Sequence, residues 1–243
     1  MDLFAFPPLA LLLDLTTRAL LALTAFLTPL TGGAAAALAV VVVTIVVRLI
    51  LIPVGVSQAR AEQTRARLAP RLRALQQRWR SNPERLQRET LQLYRDEGAS
   101  PLAGSLPLLA QAPVVGLLYA VFLHPTVGGQ PNALLAHDLL GVPLGRSLTT
   151  ALSTGTMDAA TLTVLGGLVL VIAGVGELTR RLLKPALDPA APAWTSAMVG
   201  ALQFSTAVIA LFVPLAAALY LAVTTIWTLA QRLILRRRYP LPR

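Results

Sequence analysis

Cysteine is absent from the 243 residues, and lysine occurs once, as Lys184. The first absence excludes disulfides, thiolate metal sites and cysteine nucleophiles. Charge is scarce as well: 13% of residues are charged, where a soluble domain carries roughly 25%. Against this, 55% are hydrophobic and mean hydropathy is +0.66, a balance that places the chain among membrane proteins. The opening MDLFAFPPLA has no basic n-region, so no cleaved signal peptide is expected. Enzyme signatures are missing too: there is no HExxH, GxSxG, GxxxxGK[ST] or GxGxxG. His124 and His137 have no neighbouring ligand set, so no metal, cofactor or catalytic residue is expected.

What is present is long apolar runs. A helix needs about 20 apolar residues to cross a hydrocarbon core. Five segments qualify: 34–56, 105–123, 159–176, 194–212 and 215–233. The last two are separated only by Val213-Pro214, which reads as a tight helical hairpin. Basic residues set the orientation. Segment 57–104 holds ten arginines, loop 177–193 holds Arg180, Arg181 and Lys184, and tail 234–243 holds Arg236, Arg237, Arg238 and Arg243. The connection 124–158 holds only Arg146. With five spans the three basic segments share one side. An all-α membrane protein with its N-terminus outside and its C-terminus cytoplasmic is expected. Residues 9–30 are apolar enough for a sixth span. Asp14, Thr17, Arg18, Thr24 and Thr28 share a helical face, however, and favour an interfacial amphipathic helix within 1–33.

Segment 57–104 has a helical pattern. Leu68, Leu72, Leu75 and Trp79 form a heptad seam, and Leu86 and Leu93 continue the seven-residue spacing. Between them, Ser81-Asn82-Pro83-Glu84 is a stop and restart, with Asn82 as N-cap and Pro83 at the first helical position. A cytoplasmic helical hairpin follows. Its arginines, Arg71, Arg78, Arg85 and Arg88 among them, read either as a solvated positive-inside face or as a contact surface for an anionic partner.

One residue resists the apolar reading. Arg48 lies in TIVVRLILIP, about eight residues or roughly 12 Å from the cytoplasmic end of its span. A guanidinium at that depth faces the bundle interior, a carboxylate or a wet cavity. No other span has an acidic residue at matching depth, so a water-filled pocket open to the cytoplasm is expected. Thr44 lies on the same face. Gln111, Gln203, Thr206, Thr224, Thr228 and Gln231 add uncharged polar groups. Each reads either as an interhelical hydrogen bond or as lining of the Arg48 cavity.

The order of VVRLILIP, a basic hairpin, LYRDEGASPLAGSLPLLAQAPVVGLLYAVF and LYLAVTTIWTLAQRLIL resembles the YidC/Oxa/Alb family of membrane protein insertases. Gly98, Pro101, Leu102, Gly104, Leu106-Pro107, Gln111 and Pro113 match the family pattern G-x-N-P-x-x-G-C-L-P-x-x-x-Q-x-P. Ser100 and Ser105 depart from its Asn and Cys, and Leu221 stands where many members have Trp. The resemblance implies a five-helix core with a hydrophilic groove open to the cytoplasm. Arg48, Thr44, Gln111, Gln203, Thr224 and Thr228 would line that groove. It implies nascent membrane proteins as clients, the bacterial plasma membrane as location, and the ribosome and Sec translocon as candidate partners, without DNA. Arg236, Arg237 and Arg238 are candidate ribosome contacts through phosphate electrostatics. The competing readings are a small-anion transporter or channel and a membrane scaffold.

Overall fold

Gly32 and Pro53 decide the course of the first apolar stretch. Ala10–Ile50 is a run of 41 residues. As one straight helix it would be about 62 Å long, twice the thickness of a hydrocarbon core. Gly32 interrupts it at φ +56, a left-handed conformation that glycine adopts without a Cβ penalty. The result is helix α1, Pro7–Thr31, a 3-10 turn at Gly32–Ala34, and helix α2, Ala35–Ile50. Pro53 then acts on the far end. Its ring clashes with the carbonyl four residues earlier and its nitrogen has no proton to donate. The chain kinks at Leu51 (φ −84, ψ 3) before helix α3, Ile52–Arg78. Helix α2 thus stops at Ile50, inside the expected span 34–56, whose remaining residues open α3.

The computed structural model describes residues 7–100, 106–127, 129–183, 198, 200–202 and 204–240. It divides into two compact units, Met1–Leu49 with Val114–Leu229, and Ile50–Pro113 with Ala230–Arg243. Among the described residues, three apolar helices are long enough to cross a membrane: those within Ala10–Ile50, Ala159–Leu182 and Leu215–Arg238. Gln111–Leu123 and Gly200–Ala210 are shorter apolar helices. Of the expected span 194–212, residues 194–197, 199 and 203 lie outside the described residues.

In the first unit the later part of helix α5 (Leu106–Leu123) leads into a connection with two short hairpins. These pair β1 (Thr126–Val127) with β2 (Gln130–Pro131), and β3 (Asp138–Leu139) with β4 (Val142–Pro143), both antiparallel. Helices α6 (Leu148–Ser153) and α7 (Ala159–Thr161) follow, then a π turn at Leu162–Gly166 and α8 (Gly167–Leu182). Helix α9 (Ser205–Ala210) and helix α10 (Leu215–Arg238) complete the order.

Asn132 holds the connection to α5. Its side-chain amide donates to the carbonyls of Val121 (2.8 Å) and His124 (3.1 Å), and its oxygen accepts from the N–H of Leu134. At the start of α10, Leu215 and Ala216 donate their N–H groups to the carbonyls of Arg146 and Leu144, each at 2.9 Å. First-turn N–H groups have no partner within their own helix, so the connection supplies two. At α7 the cap is a side chain. Asp158 accepts from the N–H of Thr161 at 2.7 Å, and Arg146 donates to the Thr161 hydroxyl at 3.2 Å. The hydrogen bonds from Thr161 are the main cause that holds the Asp158 carboxyl below its ordinary range, with the Arg146 charge adding to the shift.

Buried side chains of this unit come from several of its helices. Ala35, Ala36, Ala37, Ala39 and Val40 are buried on α2, Leu118 and Ala120–Phe122 on α5, and Leu215–Ala218 on α10. Small side chains let helix backbones approach closely. Beyond Thr44 no residue of α2 is buried, and beyond Ala222 only Leu229 is buried on the described length of α10. On α1 the buried positions are Leu13, Thr17, Leu20 and Thr24, one helical face, while Leu11, Leu15, Phe26 and Leu30 are exposed. The polar stripe expected to face water is therefore partly turned inward.

The second unit contains the helical hairpin of α3 and α4 (Pro83–Asp96). Asn82 accepts from the N–H of Arg85 at 3.0 Å, which is the N-cap bond expected of the Ser81–Glu84 restart. Gly98 takes φ +59 after α4, and Ala99 donates to the carbonyl of Tyr94 at 2.8 Å. Ala61, Leu68 and Tyr94 are the buried side chains of this pair, with Leu72, Leu75, Trp79, Leu86 and Leu93 half-buried along the seam. Glu97 fixes the hairpin base by accepting from Arg67 at 3.1 Å and from Arg71.

Candidate functional site

The early stop of α2 changes the setting of Arg48. It lies in the last turn of a 16-residue helix that is otherwise aliphatic apart from Thr44. The last carbonyls of a helix lack intrahelical donors and carry a partial negative charge, which favours a cation there. Arg48 is half-buried, and among the described residues no hydrogen bond or ion pair engages it. Its neighbours Val46, Leu49 and Ile50 are exposed. The guanidinium thus presents five donors beside an apolar surface. The sequence signal for the helix end was Pro53, whose effect reaches back to Leu49.

Thr44, four residues before Arg48, is buried, and its hydroxyl donates to the carbonyl of Val40 at 2.6 Å. Thr228 likewise donates to the carbonyl of Thr224 at 2.7 Å. Both protons are committed to their own helix, leaving oxygen lone pairs that can accept from a guanidinium or water. Thr224 differs: its hydroxyl oxygen is buried and has no hydrogen-bond partner among the described residues. Arg48, Thr44, Thr224 and Thr228 belong to one compact unit, and Gln111 to the other. Gln203 lies outside the described residues.

The hairpin arginines are not equivalent. Arg71 is tied to Glu97, and Arg88 pairs with Glu84 at 3.6 Å. Arg78 and Arg85 lie over the ring of Trp79, with guanidinium carbons 5.2 and 4.6 Å from its centroid. An indole face attracts cations through its quadrupole. Trp79 thus fixes two charges at the hairpin turn, a role hidden behind its place in the heptad seam. In the tail, Arg236 pairs with Glu62 at 3.6 Å, whereas Arg237 and Arg238 are exposed. Among the described residues no group of three or more His, Asp or Glu is placed to hold a metal ion.

Comparison with known proteins bears on this arrangement. Residues 26–241 match the family described as 60Kd inner membrane protein. "Membrane protein insertase YidC" of Clostridium perfringens is 34% identical over 126 residues, 49% of this chain and 53% of that protein. The Streptomyces avermitilis protein of the same name is 27% identical over 212 residues, 80% of this chain and 50% of that protein. That of Granulibacter bethesdensis is 30% identical over 179 residues, 72% of this chain and 30% of that protein. The chain thus spans about half the length of the first two relatives. With the match covering most of its residues, the chain belongs to the 60Kd inner membrane protein family, the YidC family of these relatives.

Proposed function

We propose that the chain is a membrane protein insertase and chaperone. It helps client transmembrane segments and short extracytoplasmic tails enter the bilayer through a hydrated groove. The relatives' names support the general activity. The observation that carries the groove is Arg48: a guanidinium in an aliphatic helix, half-buried, without a carboxylate among the described residues. An ionised side chain within hydrocarbon is costly unless it meets water or a partner. Water in a groove lowers that cost, and the positive charge then attracts acidic residues of a client tail. Thr44, Thr224, Thr228, Gln111 and Gln203 complete the proposed lining. The loss of buried positions on α2 beyond Thr44 supports an opening at that end.

In this reading the five-span core sits in the bacterial plasma membrane, with the N-terminus outside and the C-terminus cytoplasmic. The hairpin recruits clients or partners through Arg71, Arg78, Arg85 and Arg88. Arg237 and Arg238, exposed on the tail, are available to ribosomal RNA phosphates, and the Sec translocon is a candidate partner. Mechanistically this is facilitation by a shortened, wetted path and one fixed charge, with no covalent step. The test is reconstitution into liposomes with a labelled single-span client bearing an acidic tail. Insertion should rise several-fold over protein-free liposomes; equal insertion with and without the protein overturns the proposal.

A further inference from the structure

The tail does not leave α10 as a free basic strand. From Gln231 to Pro240 it tracks the first turns of α3. Position 55 is a glycine, and a β-carbon there would lie 1.9 Å from the side-chain nitrogen of Gln231. The absence of a side chain is what lets Gln231 seat against α3. Further along, Glu62 and Arg236 form an ion pair at 3.6 Å. Arg60 donates through Nε (3.3 Å) and Nη2 (3.2 Å) to the phenol oxygen of Tyr239, with its guanidinium carbon 5.5 Å from the ring centroid. The Gln63 side-chain amide donates to the carbonyl of Pro240 at 3.0 Å. Tyr239 itself stays tied to α10, donating its N–H to Leu235 at 2.7 Å.

These contacts form one row. The partners on α3 are Gly55, Arg60, Glu62 and Gln63, within its first four turns, and those on the end of α10 and the tail are Gln231, Arg236, Tyr239 and Pro240. We propose that residues 236–240 are a clasp on the root of the hairpin, and that a polyanion capturing the tail opens it. Its polar contacts are solvent-exposed, and exposed polar and ionic contacts each contribute little. A row of them holds a segment while remaining exchangeable. Arg236 serves the clasp through Glu62, whereas Arg237 and Arg238 stay outside it. A polyanion that engages those two arginines also competes with Glu62 for Arg236, so capture and closure exclude each other. This deepens the proposed phosphate contact of the tail and rests on that reading for the opening step. The closed state rests on the geometry alone.

The chain has no native cysteine, which makes the test clean. Gln63→Cys with Pro240→Cys, in full-length protein in nanodiscs, should crosslink efficiently with a short bismaleimide. The probe for opening is a short fluorescent RNA oligonucleotide, whose binding is followed in parallel by anisotropy. Crosslink yield should fall at least fivefold as RNA saturates the tail. Tyr239→Ala should raise amide exchange in residues 56–66 several-fold while leaving α8 unchanged. Absent crosslinking, or unchanged exchange in Tyr239→Ala, overturns the clasp. Full crosslinking with RNA bound overturns the exclusivity and leaves the phosphate contact standing. Crosslinking without any RNA binding overturns the phosphate contact and the opening step together, and leaves the closed clasp.

Discussion

The Gln231 side chain fills the space that a β-carbon at Gly55 would need. A β-carbon added at residue 55 would sit 1.9 Å from the Gln231 amide nitrogen and 2.8 Å from its amide carbon. Because the obstructing atoms are the end of a flexible side chain, Gly55→Ala should displace Gln231 at moderate cost, about 1–3 kcal/mol. Gln231→Ala introduced second should recover most of that loss. Thermal unfolding of the two single variants and the double variant measures the coupling. Additive losses would show that the two positions are not in contact.

Arg48 should be replaceable in fold but not in function. Arg48→Ala removes a charge that has no partner among the described residues, so the melting temperature should stay level or rise. Insertion of an acidic-tailed client should drop several-fold. Arg48→Lys should restore part of it, since lysine keeps the charge but not the planar five-donor fork. Equal insertion by Arg48→Ala and the parent would remove the charge-attraction step.

Thr224→Val swaps a buried hydroxyl that has no hydrogen-bond partner among the described residues for a methyl of similar size. A satisfied buried hydroxyl would be missed; an unsatisfied one is not. Stability should change by less than about 0.5 kcal/mol or increase. A drop of several degrees in melting temperature would show that the oxygen is bonded.

Asn132→Ala deletes the bonds to Val121, His124 and Leu134 at a buried position. Leaving buried carbonyls without donors is costly, and a loss of about 2–4 kcal/mol is expected. Asn132→Asp should fail to rescue, because a carboxylate cannot donate to the two carbonyls. Denaturation of the reconstituted protein distinguishes these outcomes.

Asp158 caps α7 by accepting from the N–H of Thr161. Its folded-state pKa is lowered, first by hydrogen bonds from Thr161. A lowered carboxylate contributes stability that is complete above the unfolded value and is lost as pH falls through the folded value. Asp158→Asn keeps a capping oxygen without the titration. The variant's melting temperature should fall less steeply than the parent's as pH drops below the ordinary carboxylate range. Parallel curves would remove Asp158 from the acid response.

Local chemistry explains what was readable in advance. The Asn82-Pro83 restart depends on neighbours in sequence, so its cap could be named from four letters. Arg48 stood out because an ionised group in an aliphatic run has few physical answers. The closing of α10 by Leu144 and Arg146 was not readable, since it uses backbone carbonyls some seventy residues away that carry no side-chain signature. The inward turn of Thr17 and Thr24 was missed for a different reason. Polarity was assigned to them as isolated side chains, whereas each donates to a carbonyl of its own helix. The same local effect hid the end of α2, which Pro53 imposes four residues upstream.

All five threonines of α1, at 16, 17, 24, 28 and 31, give their protons to the carbonyl four residues back. A hydroxyl folded down in this way shows its surroundings mainly a methyl group. For lipid, such a helix is close to a valine-rich one with the same letters changed. Hydropathy summed over residue types therefore overstates how wet these segments are. It also explains how a chain can keep many oxygens close at hand, each released by a simple side-chain rotation, without forfeiting its place in the bilayer.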